Sequence, residues 1–183
     1  FENGVIKKKD NRVQLDFNAF AQGYSVDLVA QLFESKGIHS YLIEIGGEVR
    51  AGNSPPGLNF WTVGIEDLKE NLTSKNDAMK VVPLVNMSVA TSGNTRKFIV
   101  ENGKRYAHHI DPRTGYSAKN DLLAVSVFTN ECLTADAIAT GILVMGYSKS
   151  KRFLKKHPNI KILLYQSNDK GELIEYDSSK SEL

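Results

Sequence analysis

The sequence predicts an α+β (mixed α/β) fold, and three observations carry that expectation. Short apolar runs of strand type outnumber helical patterns. The two kinds do not follow one another in regular alternation, as a repeated βαβ unit would require. At 183 residues, 41% of them hydrophobic, the chain is long enough to bury one core, so a single domain over 1–183 is expected. Residues 1–12 read as a lead-in and 168–183 as a polar C-terminal tail.

The elements follow from the spacing of apolar residues. Val13 to Phe17 reads as a short strand leading into a helix over Asn18 to Ser35, where Phe20, Tyr24, Leu28 and Leu32 recur every four positions; Gly37 supplies a stop. His39 to Val49 alternates Tyr41, Ile43 and Ile45 and enters a tight turn at Gly46-Gly47. Asn53 to Gly57 is a loop, Phe60 to Ile65 a strand, Leu68 to Asp77 a polar surface excursion and Val81 to Ala90 another strand. Asn102-Gly103 between Arg96–Val100 and Lys104–His108 is the strongest hairpin signal in the chain. Leu122 to Phe128 is a buried-type strand, Thr134 to Met145 and Ser148 to Lys156 are helices, and Ile160 to Tyr165 is a last strand.

Composition excludes several classes. A formal charge of +2 from 23 basic and 21 acidic residues gives no global field that would select nucleic acid or an anionic membrane. The single Cys132 rules out an internal disulfide framework, and its apolar-leaning surroundings make it a buried bystander rather than a nucleophile. No run approaches the ~18 apolar residues of a spanning helix, and the first residues lack the basic-then-apolar shape of a signal peptide, so a soluble domain is expected. The opening at Phe1 rather than methionine suggests a processed or truncated chain.

Three stretches concentrate reactive groups. Leu15 to Asp27 runs through small residues into a helix, where backbone amides and carbonyls can come close to an anion or a metal; Asp16 and Asn18 can equally be helix caps. His108 to Gly115 packs two histidines, Asp111, Arg113 and Thr114 into a turn, and a turn alone explains Asp111, Pro112 and Gly115 but not the histidines. Thr134 to Thr140 opens a helix with Asp136 and Thr140 one turn apart on one face, so that two oxygens can bind one hard cation, although a cap would also account for Thr134 and Asp136. Gly46-Gly47-Glu48 and Thr91-Ser92-Gly93-Asn94 are ordinary turns or small-residue loops lining a nucleotide site.

In this order, the Asp16-(x)5-Gln22-Gly23-Tyr24-(x)2-Asp27 stretch, Ile45 to Glu48, Val89 to Gly93, His108 to Gly115 and Thr134 to Thr140 with Val144-Met145-Gly146 resemble the ApbE-type FAD:protein FMN transferases. The resemblance implies a twisted, largely antiparallel sheet with packed helices. It implies transfer of FMN from FAD to a threonine or serine hydroxyl of an acceptor protein, with release of AMP. Under the same resemblance the Ala19 carbonyl, Asp136 and Thr140 hold Mg²⁺, Asp16, Gln22 and Ile110 lie at the flavin nucleotide, Gly46, Gly47 and Ser92 line its site, and His108 is the base. His109 departs from the family pattern, as do Gln22, Thr95 and Ser117. Arg113 either assists with charge or pairs with Asp111. Family members usually carry a further segment before the position of Asp16, and they are commonly exported and lipid-anchored, which implies a periplasmic or membrane-anchored location. A Mg²⁺-dependent FAD pyrophosphatase and a non-catalytic flavin- or metal-binding fragment are the rival expectations.

Overall fold

A computed structural model describes residues 5–69, 79–94, 98–101, 104–107, 109–118, 121–168 and 170–180. Its centre is a six-stranded antiparallel sheet in the order β1-β2-β5-β10-β11-β12, made of β1 (Leu42–Ile45), β2 (Glu48–Ala51), β5 (Met87–Gly93), β10 (Leu122–Thr129), β11 (Lys161–Ser167) and β12 (Leu173–Asp177). Two helices, α1 (Ala21–Ser35) and α2 (Cys132–Met145), cover one face, with α3 (Tyr147–Lys156) following α2. The hairpin of β3 (Trp61–Glu66) and β4 (Met79–Leu84) covers the other face. The α+β class expected from the sequence is the class observed.

Side-chain parity sorts the residues to the two faces. On β11, Ile162 and Leu164 join the helix-side core while Leu163 and Tyr165 join the hairpin-side core, as strict alternation demands. On β10 the alternation slips: Leu122 and Val125, three apart, both face the helices. The register shift between Leu122 and Ala124 is the cause, because a bulge inserts one residue and resets parity.

α2 is the central helix. Its buried positions Cys132, Ala135, Asp136, Ala139 and Leu143 recur at helical spacing, and the small side chains at 135 and 139 allow close approach to the sheet and to α1. α1 turns Gly23, Val26, Asp27 and Ala30 inward against α2 and the β1–β2 hairpin, while Tyr24, Leu28 and Leu32 stay exposed on its outer side.

Several expectations give way. Val13 to Phe17 is not a strand here: among the described residues no neighbouring strand takes its hydrogen bonds, and Val13, Leu15 and Phe17 are half exposed. The helix after it begins at Ala21 rather than Asn18, since Phe20 and Ala21 first donate to the Phe17 carbonyl in a turn. The run from 81 to 90 is two strands that belong to different sheets; the break falls at Asn86, whose φ of 47° turns the chain. Glu48–Ala51 is a strand in its own right, paired with β1 across the two-residue Gly46-Gly47 turn, both glycines having positive φ. The expected polar tail contains β12, which closes the sheet edge against β11. The hairpin around Asn102-Gly103 forms as β6 (Phe98–Glu101) and β7 (Lys104–Ala107), and Ile110–Asp111 and Tyr116–Ser117 pair as β8 and β9.

Candidate functional site

The N-terminal end of α1 meets the first turns of α2, and most of the residues singled out from the sequence gather there. Gly23 donates its amide to Asp136 Oδ2 at 3.0 Å. Gly23 is the third residue of α1, so its amide has no acceptor within the helix and is satisfied by Asp136. The Ala19 carbonyl, two residues before the start of α1, receives no hydrogen bond from any described residue. The turn before α1 thus ends in a carbonyl oxygen with free lone pairs, on the segment that Asp136 grips.

Asp136 is 5% exposed, and burial pushes its carboxyl pKa up against the opposing effect of the Gly23 amide. One turn further along α2, Thr140 Oγ1 lies 3.1 Å from Ser92 Oγ on β5, so these two hydroxyls form one polar point beneath the helix. The sequence named Ser92 and Thr140 separately; the structure joins them.

Gln22 sits over the β1–β2 turn. A Cβ built on Gly46 would meet the amide end of the Gln22 side chain, which can swing away, so it is the φ of +66° that calls for glycine there. Gly47 donates its amide to Glu44 Oε1 at 2.7 Å, which ties that group to its own hairpin. Asp16 is exposed and accepts from the amide of Asn18 at 2.7 Å, a local turn rather than a cap on α1, whose N-cap position is Phe20. Ile110 is exposed on β8, which runs beside α2. His108 lies outside the described residues.

Next to it, His109 Nδ1 lies 2.9 Å from Asn94 Oδ1. Asn94 Nδ2 donates to the Leu122 carbonyl, which orients the amide so that Nδ1 of His109 carries the proton. Arg113 pairs with Asp111 rather than standing free: its Nε donates to Asp111 Oδ1 at 2.8 Å, and the Arg113 guanidinium and amide hold the carboxyl pKa down at about 2.

Asp27 ends one of the stretches singled out from the sequence but has no role assigned to it there. It is 6% exposed and accepts from the amides of Cys132 at 3.0 Å and Leu133 at 2.8 Å, while Arg50 Nη1 on β2 lies 2.7 Å from its Oδ1. The signal that could have found it is its place in the Gly23-Tyr24-(x)2-Asp27 spacing, one turn from the glycine that contacts the same helix.

The donor chemistry suits a hard cation. One carboxylate, one hydroxyl and one carbonyl are all oxygens, the ligand type that Mg²⁺ and Ca²⁺ take. Beside Cys132, at the start of the helix that carries Asp136 and Thr140, the buried carboxylates of Asp27 and Glu48 stand with the guanidinium of Arg50. No group of three or more His, Cys, Asp or Glu side chains assembles among the described residues, so the cation would rely on neutral oxygens for most of its shell. In donor type, Asp136, Thr140 and the Ala19 carbonyl suit such a cation.

Comparison with known proteins gives a consistent picture. A model described as the ApbE family matches residues 2–164. The chain is 34% identical over 182 residues to the FAD:protein FMN transferase of Haemophilus influenzae, covering 100% of this chain and 52% of that protein. It is 36% identical over 163 residues to the FAD:protein FMN transferase of Treponema pallidum, covering 82% and 43%. Among solved structures, the apo form of the Pseudomonas stutzeri flavinyl transferase ApbE superposes with a TM-score of 0.75 at 33% identity, covering 90% of this chain and 49% of that one. The Thermotoga maritima ApbE protein superposes with a TM-score of 0.75 at 28% identity, covering 93% and 53%. The chain spans about half the length of the curated relatives it matches.

Proposed function

The chain belongs to the ApbE family, and from that premise we propose that the complete protein transfers FMN from FAD to a threonine or serine hydroxyl of an acceptor protein, with AMP as the second product and Mg²⁺ as the metal. The observation that supports this reading is the bond from the Gly23 amide to Asp136, which ties the first turn of α1 to α2, with the Ala19 carbonyl just before that turn unbonded among the described residues. The Ala19 carbonyl, Asp136 and Thr140 would hold a divalent cation, which would supply charge neutralisation at the pyrophosphate.

The chain's own groups do the rest. Gln22, Asp16 and Ile110 contact the flavin nucleotide, and the Gly46 turn and Ser92 shape the wall beside it. His108 accepts the proton of the acceptor hydroxyl, a role within reach of an imidazole with an ordinary pKa of about 6.5. The hydroxyl oxygen bonds to the phosphorus carrying the riboflavin, the anhydride bond to the AMP phosphate breaks, and AMP leaves with the electron pair. Because the chain covers half of its relatives, these steps concern the whole protein. Family members are commonly exported and lipid-anchored, which supports a periplasmic or membrane-anchored location for it. Among the described residues no helix is long and apolar enough to cross a membrane.

The test is to incubate the complete protein with FAD, Mg²⁺ and an acceptor protein, and to follow the acceptor by mass spectrometry and the nucleotides by chromatography. The reading expects FMN-modified acceptor and AMP in equal amounts, abolished by chelation. Free FMN and AMP with unmodified acceptor would make the protein a pyrophosphatase instead.

A further inference from the structure

We propose that Asp27 is a positioning residue: by bonding from α1 to the first two amides of α2, it sets the register between the helices and so holds Asp136 and Thr140 in place beside the Ala19 carbonyl. The inference rests on the metal reading above for its functional consequence, while its structural half stands alone.

The first amides of a helix have no partners within it, and they are usually satisfied by the side chain of the N-cap residue. α2 departs from this. Its N-cap residue, Glu131, has the extended backbone of a capping position, φ −111° and ψ 133°, yet makes no capping bond of its own. The cap comes instead from Asp27, more than one hundred positions earlier, whose two oxygens take Cys132 N and Leu133 N separately. A carboxylate at a helix N-terminus also meets the positive end of the dipole.

This device differs from a local cap in what it fixes. A serine or aspartate at position 131 would stabilise α2 as a helix without referring it to anything else. Asp27 is part of α1, the helix that begins just after Ala19 and contains Gly23, so the bonds tie α2 to the segment that supplies the remaining oxygens. Arg50 pairs with Asp27 at 2.7 Å, and its other terminal nitrogen lies 3.4 Å from Glu34, so the carboxylate is held from β2 and from further along α1. Along α1, Asp27 lies one turn beyond Gly23; along α2, Cys132 lies one turn before Asp136. Two parallel ties one helical turn apart, Asp27 to Cys132 and Gly23 to Asp136, suppress sliding and rotation of one helix on the other.

The experiment compares the intact protein with Asp27→Asn, and with Asp27→Asn combined with Glu131→Asp, which provides α2 with a cap of its own. Two readouts are taken: hydrogen exchange of the Gly23 amide relative to a core amide such as Val125, and Mg²⁺ affinity by calorimetry. Asp27→Asn is expected to speed Gly23 exchange about tenfold or more over Val125 and to weaken Mg²⁺ binding by a similar factor. The double variant should recover thermal stability without recovering either readout. Recovery of both with the local cap would reduce Asp27 to ordinary capping and overturn the proposal. So would unchanged Gly23 exchange in the single variant. If Asp27→Asn does not fold, the double variant alone decides. Absence of Mg²⁺ binding by the unsubstituted protein would remove the metal reading, and Gly23 exchange would still decide whether Asp27 sets the register.

Discussion

The amide of Gly23 and the carboxylate of Asp136 meet at 3.0 Å across 113 positions of sequence, and nothing larger than a hydrogen fits between the two helices at that point. A Cβ on Gly23 would lie 2.4 Å from the Cys132 carbonyl oxygen and 2.9 Å from Asp136 Cβ. Glycine to alanine inside a helix normally stabilises by about 1 kcal/mol. Here the added methyl must separate α1 from α2, a backbone displacement that costs about 1–3 kcal/mol. Gly23→Ala is therefore expected to lower the urea midpoint and weaken Mg²⁺ binding together. A stabilised variant would show that the interface yields.

Cys132 should be chemically silent in the native state. Burial raises its thiol pKa to about 12, and the carboxylates of Asp27, Glu48 and Asp136 add to the effect. At pH 8 its thiolate fraction is on the order of 10⁻⁴, so alkylation by iodoacetamide should run about three orders of magnitude slower than for a free cysteine. Unfolding in urea should restore the ordinary rate. Rapid labelling of the native protein would mean that the α1–α2 interface opens readily.

The Asp111–Arg113 pair sets a pH dependence with a definite sign. Asp111 titrates at about 2 when folded, well below the ~3.9 of an unfolded chain, because it is bonded to the guanidinium and amide of Arg113. A depressed carboxyl stabilises the fold above the unfolded value, and that contribution is lost as pH falls from about 4 through about 2. The side-chain carbon resonance of Asp111 should therefore titrate near 2 and move up towards the ordinary range in Arg113→Ala. Between pH 5 and 8 the stability difference between the two proteins should be flat. An Asp111 midpoint unchanged by the substitution would show that Arg113 is not its partner in solution.

How far these relations can be read in the sequence depends on their range. The tight turn at Gly46-Gly47 and the hairpin around Asn102-Gly103 are encoded by adjacent residues, and the strands flanking each of them pair. The pairing of Asp136 and Thr140 on one face follows from helical spacing. What the chain does not display locally is which segment answers them: Ser92 meets Thr140 from β5, and Asp27 caps α2 from α1, each a contact that exists only after the sheet and helices are packed. The strand expected at Val13 to Phe17 fails for the same reason in reverse, since a strand needs a neighbour. Asn86, one residue of left-handed backbone, sends β4 and β5 to different sheets, although the apolar run through them looks continuous.

His108 and His109 should separate in function. His109 is fixed through Nδ1 to Asn94, so its replacement by alanine is expected to cost modest stability and leave most of the FMN transfer by the complete protein. His108→Ala should remove most transfer while leaving FAD affinity within about twofold, the pattern of a group that acts on a proton in the transition state. Equal loss from both substitutions, or a weakened FAD affinity on losing His108, would contradict the assignment.

The central claim is that Ala19, Asp136 and Thr140 share one divalent cation, and crystals of the protein soaked with Mn²⁺ test it most directly through anomalous diffraction. The account predicts a single strong peak at about 2.0–2.6 Å from the Ala19 carbonyl oxygen, an Asp136 carboxylate oxygen and Thr140 Oγ1, the range in which hard cations take oxygen ligands. It predicts that the peak disappears in Asp136→Asn. A peak bound by other residues, or one that survives the loss of the Asp136 charge, would contradict it.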